Sequence, residues 1–177
     1  MKLSIFAFLF HAIFFSSYAY GLYLRDATIL YRRDTTIDPN QCTVTAAESH
    51  RSVTVILINE IDYNITYANH ILNWGAWASN ACDPSQSIYP SLPINQSETF
   101  SAVSDGFLTG TEGKVTFSID DKNTPPSTFS IYWDNPFSGS NEYSVEISNT
   151  NLYDYQIPPG AGVGDNAVYQ VTISKST

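Results

Sequence analysis

The sequence has few basic residues, few cysteines and almost no long apolar runs. It contains 8 Lys and Arg against 17 Asp and Glu in 177 residues, a formal charge of −9. A chain this acidic lacks the electropositive surface that binds nucleic acids and anionic membranes, so we predict no nucleic-acid partner. After the first 20 residues, no stretch approaches the roughly 20 apolar residues of a membrane-spanning helix.

Residues typical of catalysis or metal binding are also scarce. After the first 20 residues the only histidines are His50 and His70, and there is no nucleophile elbow of the G-x-S-x-G type. The Asp120-Asp121 pair is too short for a calcium loop. The glycine-rich stretch 160–164 lacks the Lys and the helix that follow a phosphate-binding loop. We therefore predict that the protein is not an enzyme and has no metal or cofactor site.

The first residues are typical of a secretory signal peptide. Lys2 is followed by an apolar run over residues 3–15, and Ser17 and Ala19 supply a small-x-small cleavage pattern. We predict a signal peptide over residues 1–19 and a secreted, extracellular protein. The alternative is an uncleaved membrane anchor.

An N-terminal extension over residues 20–50 precedes the first clear strand. Within it, the Arg32-Arg33 pair either ends a propeptide of residues 20–33 or is a solvated charge pair. Residues 34–50 show neither a helical nor a strand period. We predict that they form a loosely attached lead-in to the domain, tied down by Cys42 if the disulfide forms.

Secretion changes the interpretation of two further features. In an oxidising compartment, an even cysteine count predicts a disulfide between Cys42 and Cys82; the alternative is two free thiols. Asn64 and Asn95 each begin an Asn-x-Ser/Thr acceptor for N-glycosylation. Use of these acceptors requires both asparagines to face solvent.

From residue 51 onward the pattern is that of short β-strands separated by turns. Five segments are clear strands: 52–58, 114–120, 127–134, 142–148 and 167–174. Three are weaker candidates: 64–74, 99–103 and 152–157. No segment has a sustained 3.6-residue period. Strands at this spacing predict an all-β fold, a single antiparallel β-sandwich domain over residues 51–177.

Aromatic residues equal charged ones at 14% each, and several lie at strand ends. Strand alternation places Trp133 with Phe129 and Ile131 on the core face, and Tyr132 and Asp134 on the opposite face. A Tyr beside a carboxylate can hold a quaternary or primary ammonium group by cation–π attraction and charge. The alternative is that these aromatics only fill the sandwich.

Four motifs, in this order, resemble the aegerolysin family. They are Asn73-Trp74-Gly75, Thr109–Gly113 leading into Val115-Thr116-Phe117, Tyr132–Phe137, and Gly160–Gly164 before the last strand. Aegerolysins are small, acidic β-sandwich proteins, mostly fungal and also found in bacteria. The resemblance implies peripheral binding to membrane sphingolipids, with sterol, and pore formation together with a perforin-like partner protein.

The resemblance carries membrane contact over to Trp74 and the Tyr132–Phe137 turn, and Trp77 is the second Trp beside Gly75. We therefore assign lipid contact to six residues: Trp74, Trp77, Tyr132, Trp133, Asp134 and Phe137. The aromatic turn departs from the family pattern, because Asn135 replaces a Cys and Phe137 replaces a Trp. This keeps a second hypothesis open, a secreted effector or surface interaction protein that retains the sandwich without lytic activity. A third is a glycan-binding or hydrolytic sandwich.

Overall fold

A computed structural model describes residues 39–177 and shows two β-sheets packed face to face. The elements are α1 Pro39–Ala47, β1 Ser52–Asn59, β2 Ile65–Trp74, β3 Ala76–Trp77, a 3₁₀ turn Asn80–Cys82, α2 Pro84–Ser87, β4 Ser97–Val103, β5 Thr111–Ile119, β6 Thr128–Asn135, β7 Glu142–Ile147, β8 Tyr153–Gln156 and β9 Asn166–Lys175. The predicted signal peptide (1–19) and propeptide (20–33) lie outside the described residues.

The strands form a five-stranded and a four-stranded sheet. The first has the order β3-β4-β1-β9-β8 and the second β2-β5-β6-β7. All eight strands predicted from the sequence are present, which confirms the all-β sandwich. In the described part of the chain every neighbouring pair of strands is antiparallel except β1 and β9, which pair in parallel.

The core lies between the sheets and is built by alternation along their strands. In β5 every second residue is buried, including Val115, Phe117 and Ile119. An aromatic contact links the two layers, because the Phe117 ring of β5 lies 6.1 Å from the Phe100 ring of β4 between centroids. Within the second sheet, Phe117 lies 5.0 Å from Phe129. Each such fully buried side chain stabilises the fold by about 2 kcal/mol through removal of apolar surface from water.

Helix α1 corrects the prediction of a loose lead-in, because residues 39–47 are helical and lie against β4 and β1. Its two fully buried residues, Cys42 and Ala46, are four apart and therefore share one face. Cys42 forms the predicted disulfide with Cys82, with their Cα atoms 5.6 Å apart. The sequence does not predict this helix, because the stability of so short a helix depends on packing and the disulfide and not on its own helix propensity.

The described residues contain no helix that is both long and apolar enough to cross a membrane.

Candidate ligand-binding cleft

At one end of the sandwich, the ends of β2, β5 and β6 and the loops beside them line a cleft, and β7 begins at the same end. β2 and β6 end there, at Trp74 and Asn135, and β5 and β7 begin there, at Thr111 and Glu142. The cleft has a volume of about 370 Å³. Apolar and acidic side chains line it together: Trp74, Leu108, Pro136, Phe137, Glu112 and Asp134.

A break in the register of β2 directs Trp74 into this cleft. Leu72 pairs with Gly113, and this position in β5 faces the core. The next residue of β2, Asn73, has no partner in this register, so Trp74 pairs with Glu112. Regular alternation would place Trp74 on the same face as Leu72, whereas the bulge turns it to the outer face. Its side chain is 62% exposed, which is unusual for the largest apolar residue type.

Three carboxylates stand side by side across this end of the sheet. Glu112 of β5 pairs with Asp134 of β6, and Asp134 pairs with Glu142 of β7. Residues opposite each other in antiparallel strands have Cβ atoms about 5 Å apart, so like charges there repel. The result is a row of negative charge that begins beside Trp74.

Burial and this charge raise the pKa of two groups at the cleft, Asp134 and Tyr132. Partial burial, together with Glu112 and Glu142, raises the pKa of the Asp134 carboxyl. Partial burial and the negative charge of Glu112 and Asp134 also raise the pKa of the Tyr132 hydroxyl. That hydroxyl donates a hydrogen bond of 3.3 Å to Glu112, which also accepts one of 2.9 Å from the Asn73 amide.

The nearest cations do not neutralise the carboxylate row. The Lys114 ammonium binds Glu146 at 2.8 Å, and the Arg51 guanidinium binds Asp165 at 2.8 Å. Within residues 39–177 no hydrogen-bond donor reaches the Asp134 carboxylate, and no three potential metal ligands form a cluster. An unpaired carboxylate beside exposed aromatic rings can bind an organic cation from solution by charge and cation–π attraction.

The turn between β6 and β7 is fixed from below by Asn135, at the position where the motif differs from the family pattern. Its side chain is fully buried, and its amide donates to the carbonyl oxygens of Ser52 and Asp165, each at 2.8 Å. Gly110 packs directly on this turn, where a Cβ atom would collide with the Asn135 carbonyl oxygen and would lie 2.7 Å from Pro136 Cα. The buried hydrogen bonds of Asn135 and the close packing of Gly110 therefore fix the turn whose next residues, Pro136 and Phe137, line the cleft.

The structure brings together four of the six residues assigned to lipid contact. Trp74, Asp134 and Phe137 line the cleft, and Tyr132 borders it through Glu112. Trp133 is 0% exposed and donates to the Thr111 hydroxyl, so its assignment to lipid contact is corrected and its core placement is confirmed.

Trp77 also lies outside the cleft lining. It is half-buried, and its ring packs 5.0 Å from that of His70 and 6.0 Å from that of Trp133, between centroids. The ring packs against the core and stays partly exposed, so the assignment of Trp77 to lipid contact stays a prediction.

Sequence reasoning missed three residues of this site. Glu112 and Glu142 complete the carboxylate row, and Leu108 adds an exposed apolar wall. Alternation along β5 carried the signal for Glu112, since it shares the outer face with Lys114. No local signal placed Glu142 two strands away from it.

Comparisons with known proteins give one family and one fold. The family model described as Aegerolysin matches residues 50–176. One similar solved structure is IP-1A from Alcaligenes faecalis, with 20% sequence identity and a TM-score of 0.57, covering 75% of this chain and 97% of that one. Another is the lipid binding protein Nakanori, with 13% identity and a TM-score of 0.53, covering 83% of this chain and 92% of that one. RahU in complex with a TRIS molecule is also similar, with 17% identity and a TM-score of 0.50, covering 72% of this chain and 97% of that one. None of the curated sequences compared with the chain matches it.

At these identities the solved structures establish the sandwich fold. The family model extends from just before β1 into the end of the described chain, so it includes every strand and the whole cleft. The chain therefore belongs to the aegerolysin family.

Proposed function

We propose that this protein binds lipid membranes from the extracellular side, with the ammonium group of a choline or ethanolamine head group in the cleft. The observation that carries the proposal is the carboxylate row of Glu112, Asp134 and Glu142 beside the exposed ring of Trp74, a row that forms no salt bridge within residues 39–177. Carboxylates supply the charge and aromatic faces supply cation–π attraction for such a group.

Two of the similar structures support this ligand class. Nakanori is described as a lipid binding protein, and RahU was solved with Tris, a small amine. The aegerolysin membership of the chain supports lipid binding in general. Within that class we propose sphingolipids in sterol-rich membranes, since the ammonium head groups of sphingomyelin and ceramide phosphoethanolamine fit the cleft chemistry.

We further propose that the protein stays peripheral and recruits a perforin-like partner for any membrane damage. The surface chemistry agrees with this role. Trp74, Leu108 and Phe137 are exposed at the cleft end and suit the water–lipid boundary. An acidic chain gains nothing from anionic lipids, so head-group recognition has to supply the affinity.

A vesicle flotation panel tests the proposal. The panel contains sphingomyelin with cholesterol, ceramide phosphoethanolamine with cholesterol, and phosphatidylglycerol, which lacks an ammonium group. We expect binding to one or both sphingolipids, none to phosphatidylglycerol, and at least about tenfold weaker binding for Trp74→Ala and Tyr132→Ala. Tyr89→Ala, which removes an exposed ring outside the cleft, is the matched control and keeps full binding.

Failure of the folded protein to bind any ammonium-bearing vesicle overturns the proposal. The secreted interaction protein then becomes the better hypothesis, and recovery of a specific host protein in a pull-down supports it. Lysis is tested separately, by adding a perforin-like protein to dye-loaded vesicles that already carry the bound domain.

A further inference from the structure

Both ends of the sandwich expose apolar side chains: Ile94, beside Asn95, is 44% exposed at one end, and a larger group is exposed at the other. The cleft end and its loops expose apolar side chains, including Trp74, Leu108, Phe137 and, most exposed of all, Phe107 at 90%. The opposite end is where β1 and β5 finish and where β2, β4 and β6 begin. Both N-glycosylation acceptors of the sequence lie at this opposite end.

Two strands connect the acceptors to the apolar end directly. Asn64 immediately precedes β2, and Trp74 is the last residue of that strand. Asn95 lies just before β4, and Phe107 follows the end of that strand. Ten residues of β2 at about 3.3 Å each separate Asn64 from Trp74 by roughly 30 Å.

Each acceptor is held by its backbone while its side chain is free. The Asn64 carbonyl accepts from the Asp120 amide at 3.0 Å, and the Asn95 amide donates to the Asn59 carbonyl at 2.8 Å. Both side chains are exposed, and among the described residues neither side-chain amide makes a hydrogen bond. A sugar on either amide nitrogen therefore breaks no side-chain hydrogen bond seen in the described residues.

The disulfide is an independent indication that the chain passes through the compartment where N-glycans are added. Cys42 and Cys82 are both fully buried and bonded to each other. Structural disulfides form in the lumen of the secretory pathway, whereas cytosolic thiols are kept reduced.

We infer that Asn64 and Asn95 carry N-linked glycans, and that these glycans keep their end of the sandwich in water so that only the cleft end reaches a membrane. The modification stands on the position and freedom of the two asparagines. The orientation rests on the proposed function, because it specifies which end of a lipid-binding domain faces the lipid.

The modification is tested on the full chain secreted from eukaryotic cells. Peptide mass mapping before and after enzymatic removal of glycans is expected to find both sites occupied. We then compare the affinities of the glycosylated and deglycosylated proteins for two kinds of vesicle. One contains sphingomyelin with cholesterol, and the other contains ceramide phosphoethanolamine with cholesterol. We expect the affinities of the two forms to agree within about twofold, because the sugars lie far from the cleft.

A glycan moved to the cleft end provides the decisive contrast. Ser138→Asn creates an Asn-Gly-Ser acceptor in the exposed turn after Phe137. We expect its glycosylated form to bind at least about tenfold more weakly, with binding restored when the sugar is removed. Ser138→Gln is the matched control, since it is polar, has no acceptor and leaves the cleft lining unchanged.

Each outcome separates the two claims. Unmodified Asn64 and Asn95 in the secreted protein overturn the modification. Binding that persists in glycosylated Ser138→Asn, or that appears in the native protein only after its glycans are removed, overturns the orientation. If the deglycosylated wild-type protein binds neither vesicle, the proposed lipid function fails, and the mass mapping still decides the modification.

Discussion

The guanidinium of Arg51 holds the aromatic residue of the cleft turn by two contacts. It donates a hydrogen bond of 2.7 Å to the Phe137 carbonyl oxygen and lies 5.9 Å from the centroid of the Phe137 ring. A further hydrogen bond of 3.3 Å reaches the Asn135 side-chain oxygen. A basic residue just before β1 therefore fixes a turn that follows β6, more than 80 residues later in the chain.

Arg51→Ala is expected to destabilise the protein by about 2 kcal/mol, because the part-buried acceptor on Asn135 and the exposed carbonyl oxygen of Phe137 both lose a charged donor. Urea unfolding measures this change. Asp165→Asn is the control: it removes only the largely exposed partner of Arg51 and is expected to change stability by less than about 1 kcal/mol. Equal losses in the two variants would show that the ion pair, and not the turn, is the important contact.

Gly110→Ala is expected to weaken vesicle binding by at least about tenfold and to destabilise the fold by about 2 kcal/mol. The added methyl group collides with the backbone of Asn135 and Pro136, so the turn must move away from the cleft. Flotation and urea unfolding measure the two effects. Gly160→Ala, with open space around its Cβ but a positive φ of 82°, is expected to lose about 1 kcal/mol and keep full binding.

Asp134→Asn is expected to stabilise the protein at pH 7 by on the order of 0.5 kcal/mol, because it removes repulsion with Glu112 and Glu142. The folded pKa of Asp134 is raised, so the folded protein binds this proton more tightly than the unfolded chain does. The contribution of Asp134 to the free energy of unfolding of the wild type is therefore lowest above the folded pKa. It recovers as the pH falls toward the pKa of the unfolded chain, about 3.9.

The advantage of Asp134→Asn should accordingly shrink between neutral pH and about pH 4. Urea unfolding at several pH values checks this trend, and vesicle binding should fall in the same variant. A variant less stable than wild type at pH 7 would mean that Asp134 has a counter-charge in the folded protein.

Removal of the disulfide by Cys42→Ala with Cys82→Ala is expected to lower the free energy of unfolding by about 4 kcal/mol, since the bond closes a loop with a sequence separation of 40. Thermal and urea denaturation measure the loss. Helix α1 should become sensitive to protease in the double variant, because the disulfide that anchors it to Cys82 is lost. A loss below about 1 kcal/mol would contradict a stabilising role.

Tryptophan emission is expected to shift to shorter wavelength when the protein binds sphingolipid vesicles, because Trp74 moves from water to the lipid boundary. Trp133 is already buried and Trp77 half-buried, so they contribute little to the change. Trp74→Phe should abolish the shift. A shift that remains in this variant would place the contact elsewhere.

Alternation in the sequence predicted the strands well, because one face of each strand must be buried. It placed Trp133 in the core and Tyr132 and Asp134 outside, as found. It could not predict the bulge that turns Trp74 outward, since alternation from Leu72 leads to the opposite face. Bulges depend on how a partner strand is aligned, and that information is not local.

The sequence likewise predicted only some of the residues at the cleft. Asp134 and Phe137 lie in one motif, but Glu142 joins them only because β7 pairs with β6 in that register. The helix over residues 39–47 escaped notice because tertiary contacts stabilise it. What sequence reasoning missed in each case was a pairing between distant segments.

The parallel pairing of β1 with β9 has a consequence for the newly made chain. Ser52 bonds to Asn166, 114 residues later, so β1 is synthesised long before this neighbour exists. Until then one edge of an apolar strand, Ser52–Asn59, offers unpaired amides and carbonyls to any other extended chain. Nascent chains that stop before β9 should therefore aggregate, and biosynthesis of this domain depends on protecting that edge until synthesis is complete.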